Sequence, residues 1–232
     1  MIVAIHQPQF MPWLGYFDKI DKADVFCFLD NVQYKKNEWQ NRNRLKTAQG
    51  MQWLTVPVRF RFPQMINEVE INNSENWRRK HLQALHTNYR KAPYFNAYIQ
   101  VFEDMYSRDW RYLSDLNIFA TTQLMTALGL EQTRTVRASE LTLSRDPTQR
   151  LIDICRVFGG DVYLAGQGGA SYMAMEQFEG TGIDVVFQDF RHPSYEQLYG
   201  EFLSHLSSLD LLFCCGPDSL NIIRHDNPPI RR

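Results

Sequence analysis

The chain lacks any apolar run approaching the ~18 residues that a membrane span needs, and no basic segment followed by an apolar stretch opens it. Cysteine is scarce, with four in 232 residues, at Cys27, Cys155, Cys214 and Cys215. None forms a CxxC pair, which excludes the usual redox and zinc motifs and reads as reduced thiols of a cytoplasmic protein. The six histidines show no ligand spacing to a cysteine or a carboxylate pair, so no metal site is expected. Repeats and low-complexity segments are missing too. A formal net charge of −1 argues against a chain that binds polyanions over its whole surface.

What is there is an aromatic-rich, unevenly charged sequence. Hydrophobic residues make up 44% and aromatic residues 13%, enough for a sizeable core and a ring-lined pocket. Residues 34–46 carry five basic side chains and one acid, whereas residues 176–218 carry eight acids and one arginine. Such asymmetry suits either an anionic ligand near the N-terminus or an ordinary solvated face.

Along the chain, short apolar runs alternate with helical spacing. Residues 2–5 form a continuous apolar run and read as a buried parallel strand. Two prolines in residues 6–12 forbid helix. Leu14, Phe17 and Ile20 restore helical spacing, and residues 25–29 read as a second strand. Residues 30–46 have no clear period, and 53–58 and 66–71 read as strands. Residues 74–91, capped at Ser74, 94–106 and 112–128 are predicted helices, the last closed by Gly129. Alternation resumes with strands at 133–137, 162–165 and 183–187 and helices from Pro147 and over 206–215. The tail from Asn227 is expected to fray. The expectation is one α/β domain over 1–232, a Rossmann-like parallel sheet with a helical block inserted at 74–129.

Two loops at the ends of neighbouring parallel strands are where such a fold binds its ligand. The first offers His6, Gln7 and Gln9, then Trp13 and Gly15 at a helix start. The second packs Asp30, Gln33, Lys35, Lys36, Trp39, Asn41, Arg42 and Asn43 closely together, a set suited to phosphate with an attached ring or to RNA phosphates. His6, Asp30 and Lys35 are the candidate catalytic residues, and the others are candidate ligand contacts. Gly166, Gly168 and Gly169 follow a strand and make either an anion-binding turn or a plain tight connection. The segment 192–197 offers His192 as a base or as an ordinary surface residue, and Asp210 is expected to be buried and paired.

The run IHQPQFMPWLGYFDKIDKADVFCFLDNVQYKKNEWQNRNRLKT, with WLTVPV, WRRKHLQALHTNYRKAPYF, DVYLAGQGGASYM, HPSYEQ and LSSLDLLFCCG, resembles the WbqC-like family over nearly the whole chain. That resemblance implies a role in surface-polysaccharide (O-antigen, lipopolysaccharide) synthesis, with glycine, aminoacyl or acyl transfer to an amino sugar as the expected reaction. The order of elements is also distantly similar to the HIGH-type α/β nucleotidyltransferases. Their His-x-Gly-His signature is replaced here by Trp13-Leu14-Gly15-Tyr16. The two resemblances imply a transferase or ATP-dependent amide ligase that uses ATP or a nucleotide-sugar with a small amino-acid or sugar substrate. Two alternatives stand beside it: an aminoacyl-tRNA-dependent transferase with tRNA against residues 34–46 and 78–91, and a non-catalytic binding or assembly protein.

Overall fold

In the computed structural model, which describes residues 1–171 and 173–230, a five-stranded parallel sheet forms the centre of the fold. Its strands are β1 (Ile2–His6), β2 (Val25–Phe28), β7 (Arg134–Arg137), β8 (Val162–Ala165) and β9 (Asp184–Phe187), in the spatial order β7-β2-β1-β8-β9. From β1 the chain first builds outwards through β2 to β7. It then returns to the other side of β1 with β8 and β9. The strand order therefore reverses between β1 and β8, the place where a doubly wound sheet opens a crevice. The fold is α/β and Rossmann-like.

The short apolar runs are continuous because both faces of the sheet are covered. Ile2 and Ala4 of β1, Phe26 and Phe28 of β2 and Leu164 of β8 belong to one apolar cluster. Phe17 and Ile20 of α1 (Leu14–Asp21) complete that face. Val3, Ile5, Val25, Cys27, Tyr163 and Ala165 point the other way, onto Leu151, Ile154 and Cys155 of α5 (Pro147–Val157). Each such fully buried large side chain contributes roughly 1.5–3 kcal/mol. By the same alternation His6, the last residue of β1, falls on the α1 side.

Three helices, α2 (Trp77–Tyr89), α3 (Phe95–Ser107) and α4 (Leu113–Leu128), share the α1-side cluster through Leu85, Phe102 and Leu116. Gly129 ends α4 in the left-handed region at φ 75°, which glycine adopts without a Cβ penalty. Helix α2 starts at Trp77 rather than at Ser74, whose hydroxyl donates instead to Asn72.

Further stretches differ from the expectation, and the helix expected over 206–215 begins only at Leu209. Residues Arg42–Thr47 form β3, paired antiparallel with β4 (Gly50–Thr55). Strand β3 carries no alternating apolar pattern, because the polar Asn43 and Lys46 are buried and hydrogen-bonded there beside Leu45 and Thr47. Of residues 66–71, only β6 (Glu70–Ile71) is strand, paired with β5 (Val58–Arg59), and Ile66–Glu68 is a 3-10 turn. The tail is not frayed at Asn227. This residue is buried, accepts from the Arg191 amide at 2.7 Å and donates to the Arg191 and Ile223 carbonyls. It follows α6 (Leu209–Cys215) and α7 (Ser219–His225), and Arg224 of α7 forks onto Asp21 of α1 at 2.6 and 2.7 Å.

Candidate functional site

A cleft of about 760 Å³ opens over the C-terminal ends of β1 and β8. Ile5, His6 and Gln7 form its floor on one side, and Gly166, Gly168 and Gly169 on the other. Pro147, Arg150 and Leu151 come from α5, and Val32, Gln33, Lys35 and Met65 close the top. Lys19 enters from α1. Three cations, Lys19, Lys35 and Arg150, thus line the cleft among apolar side chains, and among the described residues no aspartate or glutamate does.

The floor is preorganised. The His6 Nδ1–H donates to the Gln7 carbonyl at 3.0 Å, which leaves Nε2 as the acceptor atom of a neutral ring. The Tyr16 hydroxyl donates to the same carbonyl at 3.1 Å, and its ring lies 4.7 Å from that of His6. Burial, and then the positive charge of Lys19, hold His6 down at about 3, against an ordinary value of 6.5. Lys19 is 2% exposed and donates from Nζ to the Ile5 carbonyl at 3.2 Å. Burial lowers its ammonium to about 7.

The opposite wall is tied to the floor through Gln40. Its Nε2 donates to the Gln7 side chain at 2.7 Å, and its Oε1 accepts from the Lys35 amide at 2.9 Å. Gln33 Nε2 donates to the Gln64 and Tyr34 carbonyls, fixing the segment above the cleft. Arg150 donates to the Ser144 and Arg145 carbonyls at 3.1 and 3.2 Å, which orients its guanidinium at the mouth. Gly169 is tight: a Cβ there would meet Met173, Ala165 and Phe187 at 3.1–3.3 Å. The Gly166–Gly169 turn is therefore both a close strand connection and part of the cleft wall.

The cleft thus gathers His6, Gln7, Gln33, Lys35, Gly166, Gly168 and Gly169 of the predicted set. The remaining predicted residues lie elsewhere. Asp30 is wholly buried and accepts from the Ser139 amide and hydroxyl at 2.9 and 2.7 Å, so its carboxylate holds the chain after β7. Trp13 stacks on His205 at 5.4 Å and meets Phe190 edge-on at 5.2 Å. Its ring fills the space over Gly15, where a Cβ would stand 2.4–2.8 Å from the indole, so that space is closed to a ligand. Gln9 is buried. Asn41 donates to the Val56 carbonyl, and Asn43 to the Phe10 and Met11 carbonyls, so both brace loops. Lys36 is exposed. Arg42 lies 4.4 Å above the Trp53 ring, and Trp39 packs 5.6 Å from Trp53, in a surface stack outside the cleft.

Two other polar groups are structural in their contacts. Asp210 is wholly buried and accepts from Tyr89, Tyr195 and Gln197 at 2.7–2.9 Å. His192 accepts from the His205 amide through Nε2 at 3.1 Å. Of the basic side chains on α2, Arg78 pairs with Asp109 and His86 meets Glu103 of α3.

The sequence reading omits Lys19, Asn31 and Arg150 from the site. Lys19 had a signal: it stands three and four residues after Tyr16 and Gly15, on the side of α1 that meets the end of β1. Arg150 comes from a helix 144 residues beyond His6, and no local pattern joins the two. No helix among the described residues is long and apolar enough to cross a membrane.

The profile of the WbqC-like protein family matches residues 7–222. An uncharacterized protein of Mycobacterium tuberculosis, Rv1507c, is 36% identical over 227 residues, covering 96% of this chain and 97% of its own length. No solved structure matches the chain.

Proposed function

The chain belongs to the WbqC-like protein family, and on that premise we propose that it is an enzyme of surface-polysaccharide synthesis. It holds a phosphate-bearing ligand, a nucleotide or nucleotide-sugar, in the strand-end cleft and transfers an aminoacyl or acyl group to an amino sugar. One observation carries this reading. Lys19, Lys35 and Arg150 line a switch-point cleft that, among the described residues, no carboxylate lines. Its apolar walls, Leu29, Val32, Met65 and Leu151 among them, suit a base or sugar ring attached to the phosphate.

In the transfer, the amine nitrogen of the sugar bonds to the acyl carbon, and the bond from that carbon to its leaving oxygen breaks. The amine proton passes to His6 Nε2, the acceptor atom left by the Nδ1–H bond to Gln7. An anion beside Lys19 cancels the charge that helps to hold His6 neutral, so the ligand itself makes His6 a stronger base. With ATP as the activating substrate, the donor is an aminoacyl adenylate and the leaving group is AMP.

A thermal-shift screen against nucleotides and nucleotide-sugars tests the binding. A ligand at ~100 times its dissociation constant adds about 2.7 kcal/mol, or roughly 5–10 °C for a chain of this size. Glycine-dependent exchange of pyrophosphate into ATP tests the activation route. A flat screen removes the binding reading, and no exchange across a broad amino-acid panel removes the adenylate route.

A further inference from the structure

We propose that Lys19 is the anchor of the cleft: a phosphoryl group of the ligand binds over the ends of β1 and β8, between the Lys19 ammonium and the backbone at Gly166. This deepens the functional reading above and rests on it for the identity of the cleft.

The argument starts from charge. An ammonium has three donors and needs them filled when water is excluded. Lys19 uses one, to the Ile5 carbonyl. Among the described residues no carboxylate lies within 4 Å of its nitrogen, and the adjacent Asp18 is engaged by Lys22 at 2.8 Å and by Gln188 at 2.7 Å. Lys19 is thus a buried cation whose remaining donors border a cleft lined by no acid. Such a charge is costly to keep unless an anion completes it.

Gly166 keeps that place open. A Cβ there would stand 3.7 Å from the Lys19 nitrogen, so any larger side chain grows into the position the anion takes. Arg150 and Lys35 add positive charge on other sides of the same cleft. Three cations without an acid match a group of charge two or more, hence a phosphoryl or diphosphoryl group rather than a single carboxylate. By contrast, Lys36 and Arg42, which the sequence offers as phosphate contacts, do not line the cleft.

The test is binding of inorganic pyrophosphate, ADP and uridine diphosphate N-acetylglucosamine to the full chain, by thermal shift and calorimetry. Wild type is expected to bind at least one of them. Lys19→Met should lose tenfold or more in affinity while its ligand-free melting temperature stays level or rises, because the substitution removes an uncompensated charge. Gly166→Val, which retains Lys19 and fills the space beside it, should lose a similar factor. Lys36→Met, exposed and outside the cleft, should lose less than threefold. Wild-type affinity in both Lys19→Met and Gly166→Val overturns the anchor and leaves the functional reading standing. Equal binding of the matching nucleoside without phosphate also overturns it. Failure of wild type to bind any phosphorylated probe overturns both.

Discussion

The carboxylate of Asp30, at the exit of β2, grips Ser139 twice, through the amide at 2.9 Å and the hydroxyl at 2.7 Å. This joins the C-terminal ends of β2 and β7 across 109 residues of sequence. The Asp30 carbonyl also accepts from the Asn67 amide at 3.0 Å. Asp30→Ala removes the acceptor of two part-buried hydrogen bonds from Ser139, each worth about 0.5–1.5 kcal/mol, so urea denaturation should show a loss of about 1–3 kcal/mol. Asp30→Asn keeps one acceptor oxygen and should lose about half as much. Both variants should bind pyrophosphate or nucleotide as wild type does below their melting range. A folded Asp30→Asn protein that has lost turnover would instead restore Asp30 as a base.

Gly15 and Trp13 form a second coupled pair. The indole covers Gly15, and Gln188 Nε2 donates to the Gly15 carbonyl at 2.7 Å, fixing the helix start beneath the ring. Because Trp13 is held by His205 and Phe190, it cannot swing away freely. Gly15→Ala should cost about 1–3 kcal/mol by overpacking. In the Trp13→Ala background the same change should cost much less, since the clashing ring is gone. Additive losses in the double variant would show that the indole is not what requires glycine.

The parallel sheet was legible because each buried strand is an unbroken apolar run and each covering helix has a spaced apolar face, as in Val3–Ile5 and Leu151–Ile154–Cys155. The first floor of the cleft was legible for a related reason: His6 and Gln7 end a strand, and strand ends hold ligands. Residues 30–46 are divided by the fold, with Gln33 and Lys35 on the cleft and the other candidates away from it, because composition does not say which way a side chain points. Arg42 turns outwards onto Trp53, Asp30 inwards onto Ser139, and Asn43 inwards onto a loop. Lys19 and Arg150 were illegible as a pair because their meeting depends on the β1–β8 crossover, a long-range fact.

Acid should weaken the fold through two histidines, His6 half-buried on the cleft floor and His81 buried among the helices. Burial lowers His6 to about 3 and His81 to about 4. His81 is locked neutral: Nε2–H donates to the Thr55 carbonyl at 3.1 Å, and Nδ1 accepts from the Tyr106 hydroxyl at 3.2 Å. The unfolded chain protonates both near 6.5, whereas the folded chain resists, so stability is whole above that value and falls as pH drops below it. Each histidine should cost about 2 kcal/mol by pH 5. Comparing urea midpoints of wild type with His6→Gln and His81→Gln cancels the carboxylates common to all. Parallel pH curves for wild type and both variants would show that neither ring is held neutral.

Alkali should act on Lys19 in the opposite sense. Its folded value, about 7, lies below the 10.5 of an ordinary lysine, and burial is the cause. Between these values the unfolded chain binds the extra proton, so stability rises with pH across that window and is flat below it. From pH 7 to pH 10 the gain of wild type over Lys19→Met should be on the order of 4 kcal/mol, read as the difference in urea-derived stability. Saturating pyrophosphate should erase that gain, because an anion on the ammonium raises its value towards the ordinary one. By the same linkage, wild-type affinity for pyrophosphate should fall as pH climbs above about 7, while the residual affinity of Lys19→Met should vary less. An affinity that is level from pH 7 to pH 10, together with a Lys19→Met stability curve parallel to wild type, would mean that the Lys19 nitrogen is neither desolvated nor in contact with the bound anion.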